Sequence, residues 1–306
     1  MPVTAPSRKF IDLIYQSSSG WANWNPPIEI KVGDYGNIDK ESGQLDVEGN
    51  IYDPEFQTSL NNQGLKINLS EPSCQPQTGG VDEDMITSSS GVKQADFSVN
   101  PEVSLLNLAS ASLKAEFHFQ EGKRGAVLVM VKPQQEFIPL GKVLTLVHKA
   151  TELHDKYLVT SRFTCPGYCI YLSDTSGEKI ALALTASAPI PATVGLTAGG
   201  TASMDWWTNA QVAFLRKALD KAGQYRYTPL YTLKRRRNNW IQRVFRNGGE
   251  EEEEEEVTMT EDHLWPDCTP PWQQLDEDGI EDSVWEDVRR FYSLLMSWLM
   301  ISLSDG

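Results

Sequence analysis

The chain has 306 residues, 40% of them apolar and 23% charged, a composition that supports a sizeable core and excludes a wholly disordered protein. Its net charge of −15 belongs to one end: residues 250–306 hold 18 acidic residues against two arginines, whereas residues 1–249 hold 25 cations against 24 anions. No apolar N-terminal stretch has the form of a secretory leader, and the longest uncharged apolar run, thirteen residues from Phe291 to Leu303, is short of the roughly 20 that a spanning helix needs, so a cytoplasmic protein is expected.

Ser7 to Gln16 reads as a short amphipathic helix with Ser7 as cap, Phe10, Ile11, Leu13 and Ile14 on its apolar face, and Arg8 and Lys9 in its first turn. Cations there oppose the helix dipole, so they are either plain solvated charges or a surface for an anionic partner. Trp21 to Pro27 reads as a loop, and Ile28 to Val32 alternates as a strand that stops at Gly33-Asp34. Lys40-Glu-Ser-Gly43 is a hairpin turn with Gly43 free to take positive φ, and Gln44–Val47 returns from it. Gly64–Leu69 is a short expected strand, and Ser70–Gly91 an expected surface loop.

Two segments have strong strand character. In the first, residues 97–131, Leu113, Ala115, Phe117 and Phe119 alternate with polar residues; Glu121–Gly125 turns the chain, and Ala126–Val131, including Val127 and Val129, returns almost wholly apolar. In the second, residues 157–187, Tyr168–Leu172 and Ile180–Ala186 flank a turn at Asp174–Gly177, with Ile180, Leu182 and Leu184 on one face. Each segment reads as a hairpin; antiparallel strands packing on a core and tilted transmembrane strands share this pattern. Between them, Pro139–Lys156 is mostly helical in period. Farther on, Thr208 with Gln211 forms a capping box for a helix through Val212, Leu215 and Leu219 to Gly223, with Arg216, Lys217 and Lys221 on its outer face. Tyr227–Leu233 is a last strand.

Lys234, Arg235, Arg236, Arg237, Arg243 and Arg246 then meet seven consecutive glutamates, Glu250–Glu256, across Asn247-Gly248-Gly249. This divides the chain into a body, residues 1–246, and an acidic tail, residues 247–306. The tail is either a solvated solubility segment or a detachable electrostatic cover over the basic end of the body. His263–Leu275 reads as a Pro- and Trp-rich loop, and Val284–Ser302 as a helix whose stripe of Trp285, Phe291, Leu295, Trp298 and Leu299 is too apolar to leave in water.

Chemistry-bearing motifs are sparse. Cys74, Cys165, Cys169 and Cys268 match no zinc or thioredoxin-like spacing and read as reduced thiols; the four histidines show no ligand spacing; no nucleophile elbow, P-loop or dinucleotide fingerprint occurs. The expectation is a non-enzyme without cofactor or metal. A near-neutral body without a recognition motif also argues against nucleic acid, so the basic run is read toward an anionic bilayer.

Val32-Gly-Asp-Tyr-Gly-Asn-Ile-Asp-Lys-Glu-Ser-Gly43 followed by Glu48-Gly-Asn-Ile-Tyr52 resembles the opening of fungal gasdermin-like cell-death proteins. The likeness extends in order through the basic amphipathic first helix, the Gly-Asp-Tyr-Gly hairpin, the two long hairpin-forming segments, the late helix from Thr208 and the Pro229-Leu-Tyr-Thr-Leu-Lys234 strand with its basic end, covering roughly residues 8–245. It implies an α+β fold, a twisted and mostly antiparallel sheet with flanking helices, carrying a short acidic helical tail in place of the large inhibitory domain of animal members. It also implies a pore-forming executioner of regulated cell death. Held inactive by its tail or its association state, such a protein would be released by a protease or partner acting at Phe245, Arg246, Asn247 or Gly248. It would then bind acidic phospholipids of the plasma membrane through Arg8, Lys9, Arg216, Lys217 and Lys234–Arg237. Self-association into a β-barrel would follow, with Leu113, Phe117, Phe119, Val127, Val129, Ile180, Leu182 and Leu184 in its hairpins. The other class of function left open is a non-lytic interaction protein whose acidic tail docks a basic partner.

Overall fold

Helix α1, Pro6–Ser18, runs two residues past the expected end at Gln16 and buries Phe10, Ile11 and Ile14 completely. It belongs to a computed structural model that describes residues 6–97, 111–139, 141–187, 203–210, 214–236, 264–272 and 275. The fold is α+β, with mostly antiparallel strands and few helices. The strands are β1 (Trp21–Ala22), β2 (Asp34–Ile38), β3 (Leu45–Asn50), β4 (Gln77–Val81), β5 (Met85–Ser88), β6 (Val92–Ala95), β7 (Leu113–Phe119), β8 (Ala126–Val131), β9 (Gln134–Phe137), β10 (Tyr157–Cys165), β11 (Gly167–Leu172), β12 (Lys179–Ser187), β13 (Ser203–Thr208), β14 (Phe214–Leu219) and β15 (Tyr227–Arg235). Helices α2 (Pro54–Asn62) and α3 (Val143–Val147) complete the described elements, with one 3-10 turn at Thr151–Leu153.

A seven-stranded sheet is ordered β1-β15-β10-β2-β3, with β9 on β10 and β4 on β9. The expected turn at Lys40–Gly43 is present, joining β2 to β3, and Gly43 has φ +75°. At Gly36, opposite a register shift in β3, an added Cβ would lie 1.9 Å from the Asp46 carbonyl oxygen, so this position admits only glycine. The expected strand at Ile28–Val32 is absent: Ile30 and Val32 are buried and Ile28 is exposed, but the backbone joins no ladder, and β2 begins where that strand was expected to stop. Alternating burial had mimicked pairing.

The remaining strands form two four-stranded sheets, β14-β11-β8-β5 inside and β13-β12-β7-β6 outside. Their orders correspond strand for strand. Three inner strands continue through a short bend into the outer strand at the same place in the order, β5 into β6, β8 back into β7 and β11 into β12, and β14 and β13 hold the fourth place in each. The registers continue too. Met85 stands opposite Met130 and Ser88 opposite Val127 inside, then Val92 opposite Phe119 and Ala95 opposite Glu116 outside. Beyond the other bend, Leu172 faces Phe214 and Leu182 faces Thr208. The pair is one four-stranded antiparallel sheet folded double.

This corrects both expected hairpins. β7 pairs with β6 and β12, not with β8; β11 pairs with β8 and β14, not with β12. The turns at 120–125 and 173–178 are the bends of the doubled sheet. The two halves enclose one core in which Leu113, Phe117, Phe119, Val127, Val129, Ile180, Leu182 and Leu184 all meet, with Tyr171 and Trp206. The other face of the inner sheet, through Ala126, Leu128, Met130, Ile170 and Leu172, packs with α1 and the seven-stranded sheet. Burial on both faces explains why β8 and β11 are continuous runs of buried residues.

Three further expectations are corrected. Ser70–Gly91 is not a loop but carries β4 and β5, and Gly64–Leu69 is not a strand. In its described part the helix expected from Thr208 to Gly223 is the end of β13 and the whole of β14, with Leu219 opposite Gly167, while Gln211 and Val212 lie outside the described residues. The helical period of Pro139–Lys156 yields only α3 and the 3-10 turn.

Candidate functional site

Residues 264–272 with Leu275 form a strap laid across the basic ends of α1 and β15. Its backbone joins the seven-stranded sheet on the edge of β15 not taken by β10. The Arg235 N–H donates to the Pro266 carbonyl at 3.3 Å, and the Cys268 N–H donates to the Leu233 carbonyl at 3.2 Å. β1 holds the same edge only at Leu230 and Tyr231, so the strap continues the edge where β1 leaves off.

Two tryptophans anchor it. Trp265 is fully buried among α2, α3 and the start of β10, where its indole N–H donates to the Leu144 carbonyl at 2.8 Å. Trp272 reaches the core beneath α1. Its N–H donates to Asp12 Oδ1 at 2.8 Å, its ring stands edge-on to Trp21 at 5.9 Å, and the Arg8 guanidinium lies over it at 5.6 Å. The β2–β3 turn touches the same ring: a Cβ on Gly43 would sit 2.8 Å from Trp272 and 2.9 Å from Ile11. Trp21 in turn donates its N–H to the Cys268 carbonyl at 3.3 Å. The strap thus stitches together two of the three cores.

The cations singled out in the sequence fall into two groups. Under or beside the strap, Lys9 is only 5% exposed and gives its ammonium to the Leu275 carbonyl at 3.1 Å, while Arg8 donates to the Lys40 carbonyl at 2.6 Å. Lys234 pairs with Asp267 at 3.2 Å. Arg235 lies over the Tyr157 ring at 5.2 Å and reaches Asp155 at 3.4 Å, and Arg236 donates to the His148 and Ala150 carbonyls. Arg216 and Lys217 stand apart on the edge strand β14, exposed on its opposite faces; Arg216 lies over Trp24 at 4.6 Å and Lys217 donates to the Trp206 carbonyl at 3.0 Å. In this conformation Lys9 has no route to a membrane surface. Arg237, the expected opening at Phe245–Gly248, and the expected docking residues Trp285, Phe291, Leu295, Trp298 and Leu299 lie outside the described residues.

Burial raises the Asp12 carboxyl to about 6, against the pull of the Trp272 N–H, Lys9 and Arg8. Burial likewise pushes the Cys165, Cys169 and Cys268 thiols up to about 12, so they are protonated at neutral pH and poor nucleophiles. Next to the strap, a cleft of about 330 Å³ is lined by Tyr157, Arg235, Arg236, Asp267, Cys268 and Thr269. Among the described residues no group of three or more potential metal ligands gathers, and no helix is long and apolar enough to cross a membrane.

The sequence reads the anchors Trp265 and Trp272 as part of a loop, yet two tryptophans in Leu-Trp-Pro-Asp-Cys-Thr-Pro-Pro-Trp are as costly to leave in water as the apolar stripe of residues 284–302. No family model matches the chain, and no curated protein matches it.

Proposed function

We propose that the chain is a gasdermin-like pore-forming protein of regulated cell death, its tail serving as a cover over the membrane-binding end of the body. The observation that carries this reading is the doubled sheet. Opened at its bends, it gives two long antiparallel hairpins side by side: β5–β6 with β7–β8, and β11–β12 with β13–β14. Their strands span about 11 to 21 residues of sequence, enough for the 9–11 that a tilted transmembrane strand requires. Outer strands β7 and β12 already pair, so the hairpins are in register with each other.

Chemistry supports the same reading. One face of the outer sheet is apolar, while Lys93, Lys114, Glu116, His118 and Lys179 stand on the alternate positions, the two-faced pattern of a barrel strand. The connections 98–110 and 188–202, outside the described residues, are nearly without charge: Glu102 in the first and none in the second. Strand edges cannot face lipid unpaired, so insertion awaits a closed ring of subunits. Removal of the strap would uncover Lys9 and Lys234 and leave Arg8 and Arg235 without their cover, each worth about 1 kcal/mol near an anionic surface.

The test is dye release from phosphatidylcholine vesicles with and without phosphatidylserine, comparing the full chain with one carrying Trp265→Ser and Trp272→Ser. The variant is expected to leak anionic vesicles rapidly and neutral ones slowly, and the parent to leak neither. Equal leakage by the parent would remove the cover from the reading. Vesicle binding without leakage by the variant would remove the pore and leave a non-lytic interaction protein.

A further inference from the structure

We infer that the strap also blocks a self-association surface: the edge of β15 that it occupies is the docking site for the outer edge of β3 in a second copy of this chain. The inference rests on release of the strap, but not on the pore. Strap departure leaves a peptide N–H at Arg235 and a carbonyl at Leu233 on a sheet edge, beside the slot left by Trp272. A lipid headgroup satisfies cations but does not supply a paired strand; another strand edge does.

Among the edge strands of the three sheets, β3 is the one with two carboxylates. Asp46, Val47 and Glu48 are all exposed, Val47 to 43%, with Glu48 also holding Lys156 and Asn37 of its own copy at 2.6 Å, and no strand among the described residues pairs with the outer edge of β3. The other edge strands carry at most one acid, and β14 is basic. The β15 edge is basic through Lys234 and Arg235. Asp267, which pairs with Lys234 at 3.2 Å, already shows the charge that this edge accepts. β15 and β3 lie toward opposite ends of the order β1-β15-β10-β2-β3, so the contact is head-to-tail and continues one sheet from copy to copy. A contact of that kind builds rings or filaments, not closed dimers. Acids on an exposed edge also have a plainer role, which is to repel other strands; the two roles predict opposite results.

The experiment is light scattering of the full chain in solution, without vesicles, on the Trp265→Ser, Trp272→Ser background, with its fold checked by circular dichroism and melting. This variant is expected to associate beyond the monomer and to return to monomer with excess peptide spanning residues 264–275. Adding Asp46→Lys and Glu48→Lys is expected to weaken association on the order of tenfold or more, as is adding Lys234→Glu and Arg235→Glu. All four reversals in one chain, or an equal mixture of the two double reversals, restore it. Should the serine pair unfold the chain, Cys268→Pro frees the same edge by removing the N–H given to Leu233. No association after release, association unchanged or strengthened by Asp46→Lys and Glu48→Lys, or a four-reversal chain as defective as its parts would each overturn the inference. Association that follows this pattern while vesicles stay intact would sink the pore alone.

Discussion

At Asp12 a carboxylate is held where water scarcely reaches it, with Oδ1 taking the Trp272 N–H and Oδ2 finding no partner among the described residues. Its carboxyl titrates near 6 in the folded chain, against 3.8 as its ordinary value. A raised acid binds its proton more tightly folded than unfolded, so its contribution to stability is complete below about 4 and is lost as pH rises through about 6. Two units correspond to about 3 kcal/mol at most. Asp12→Asn keeps an acceptor for Trp272 and removes the buried charge. It is expected to melt higher than the parent at pH 7, and the gap is expected to close on acidification to pH 4. A gap that stays constant over this range, read by thermal melts of both proteins, would show that desolvation of Asp12 is not what sets its pKa. The plain residue pattern of α1 hid this: Asp12 directly follows Ile11, its carboxylate is covered by Trp272 of the strap, and nothing in the helix itself announces that cover.

Among the elements, the strap is held at both ends, and its two anchors test separate halves. Trp265 packs with Leu144, Val147, Leu153 and Leu158, and Trp272 with α1 and Trp21. Truncating a buried tryptophan to alanine costs about 3–5 kcal/mol, more than a short strap is expected to retain through its other contacts. Either Trp265→Ala or Trp272→Ala should therefore release it, read as faster proteolytic cutting at residues 264–275 while the core strands β8 and β11 keep their hydrogen-exchange protection. Loss of protection throughout would mean that the tryptophans belong to the global core, and that the strap is no separable element. How much of the fold was legible follows from what each pattern shares. α1, the β2–β3 turn and β15 announced themselves because apolar face, glycine and alternation agreed, although α1 begins at Pro6 and takes the expected cap, Ser7, into the helix. β14 was misread as helix because Leu215 and Leu219, four apart, share a face in a helix and in a strand alike; here they pack into the doubled sheet, and Phe214 and Arg216 turn to Trp24. α2 was passed over although Asp53-Pro54 is a helix start and Phe56 and Leu60 are one turn apart. The bends were invisible because a turn between two apolar strands reads the same whether the strands pair or fold over each other.

For the molecule as a whole, the pore reading requires that the doubled sheet straighten, and its bends carry the test. Gly122, between β7 and β8, has φ +79°, and nothing lies within 4 Å of where its Cβ would be. Alanine there meets backbone strain alone, roughly 1–2 kcal/mol in the left-handed region. In an extended strand φ is about −140°, where alanine fits without strain. Gly122→Ala therefore raises the energy of the bent state and leaves the straightened one alone. Gly64, which follows α2 outside the doubled sheet, has φ +74° and equally open surroundings, so Gly64→Ala carries the same strain with no bend to release. On the strap-released background, both alanines are expected to lower the melting temperature by a similar few degrees. Only Gly122→Ala should speed dye release, by about five- to thirtyfold if straightening limits the rate. Gly177, at the other bend with φ +75°, should act in the same direction and more strongly, because its Cβ would also press on Glu121 at 2.9 Å. Equal acceleration by Gly64→Ala would make leakage a consequence of lower stability in general. No acceleration by either bend variant would mean that the bends survive on the membrane, and that the doubled sheet is a core and nothing more.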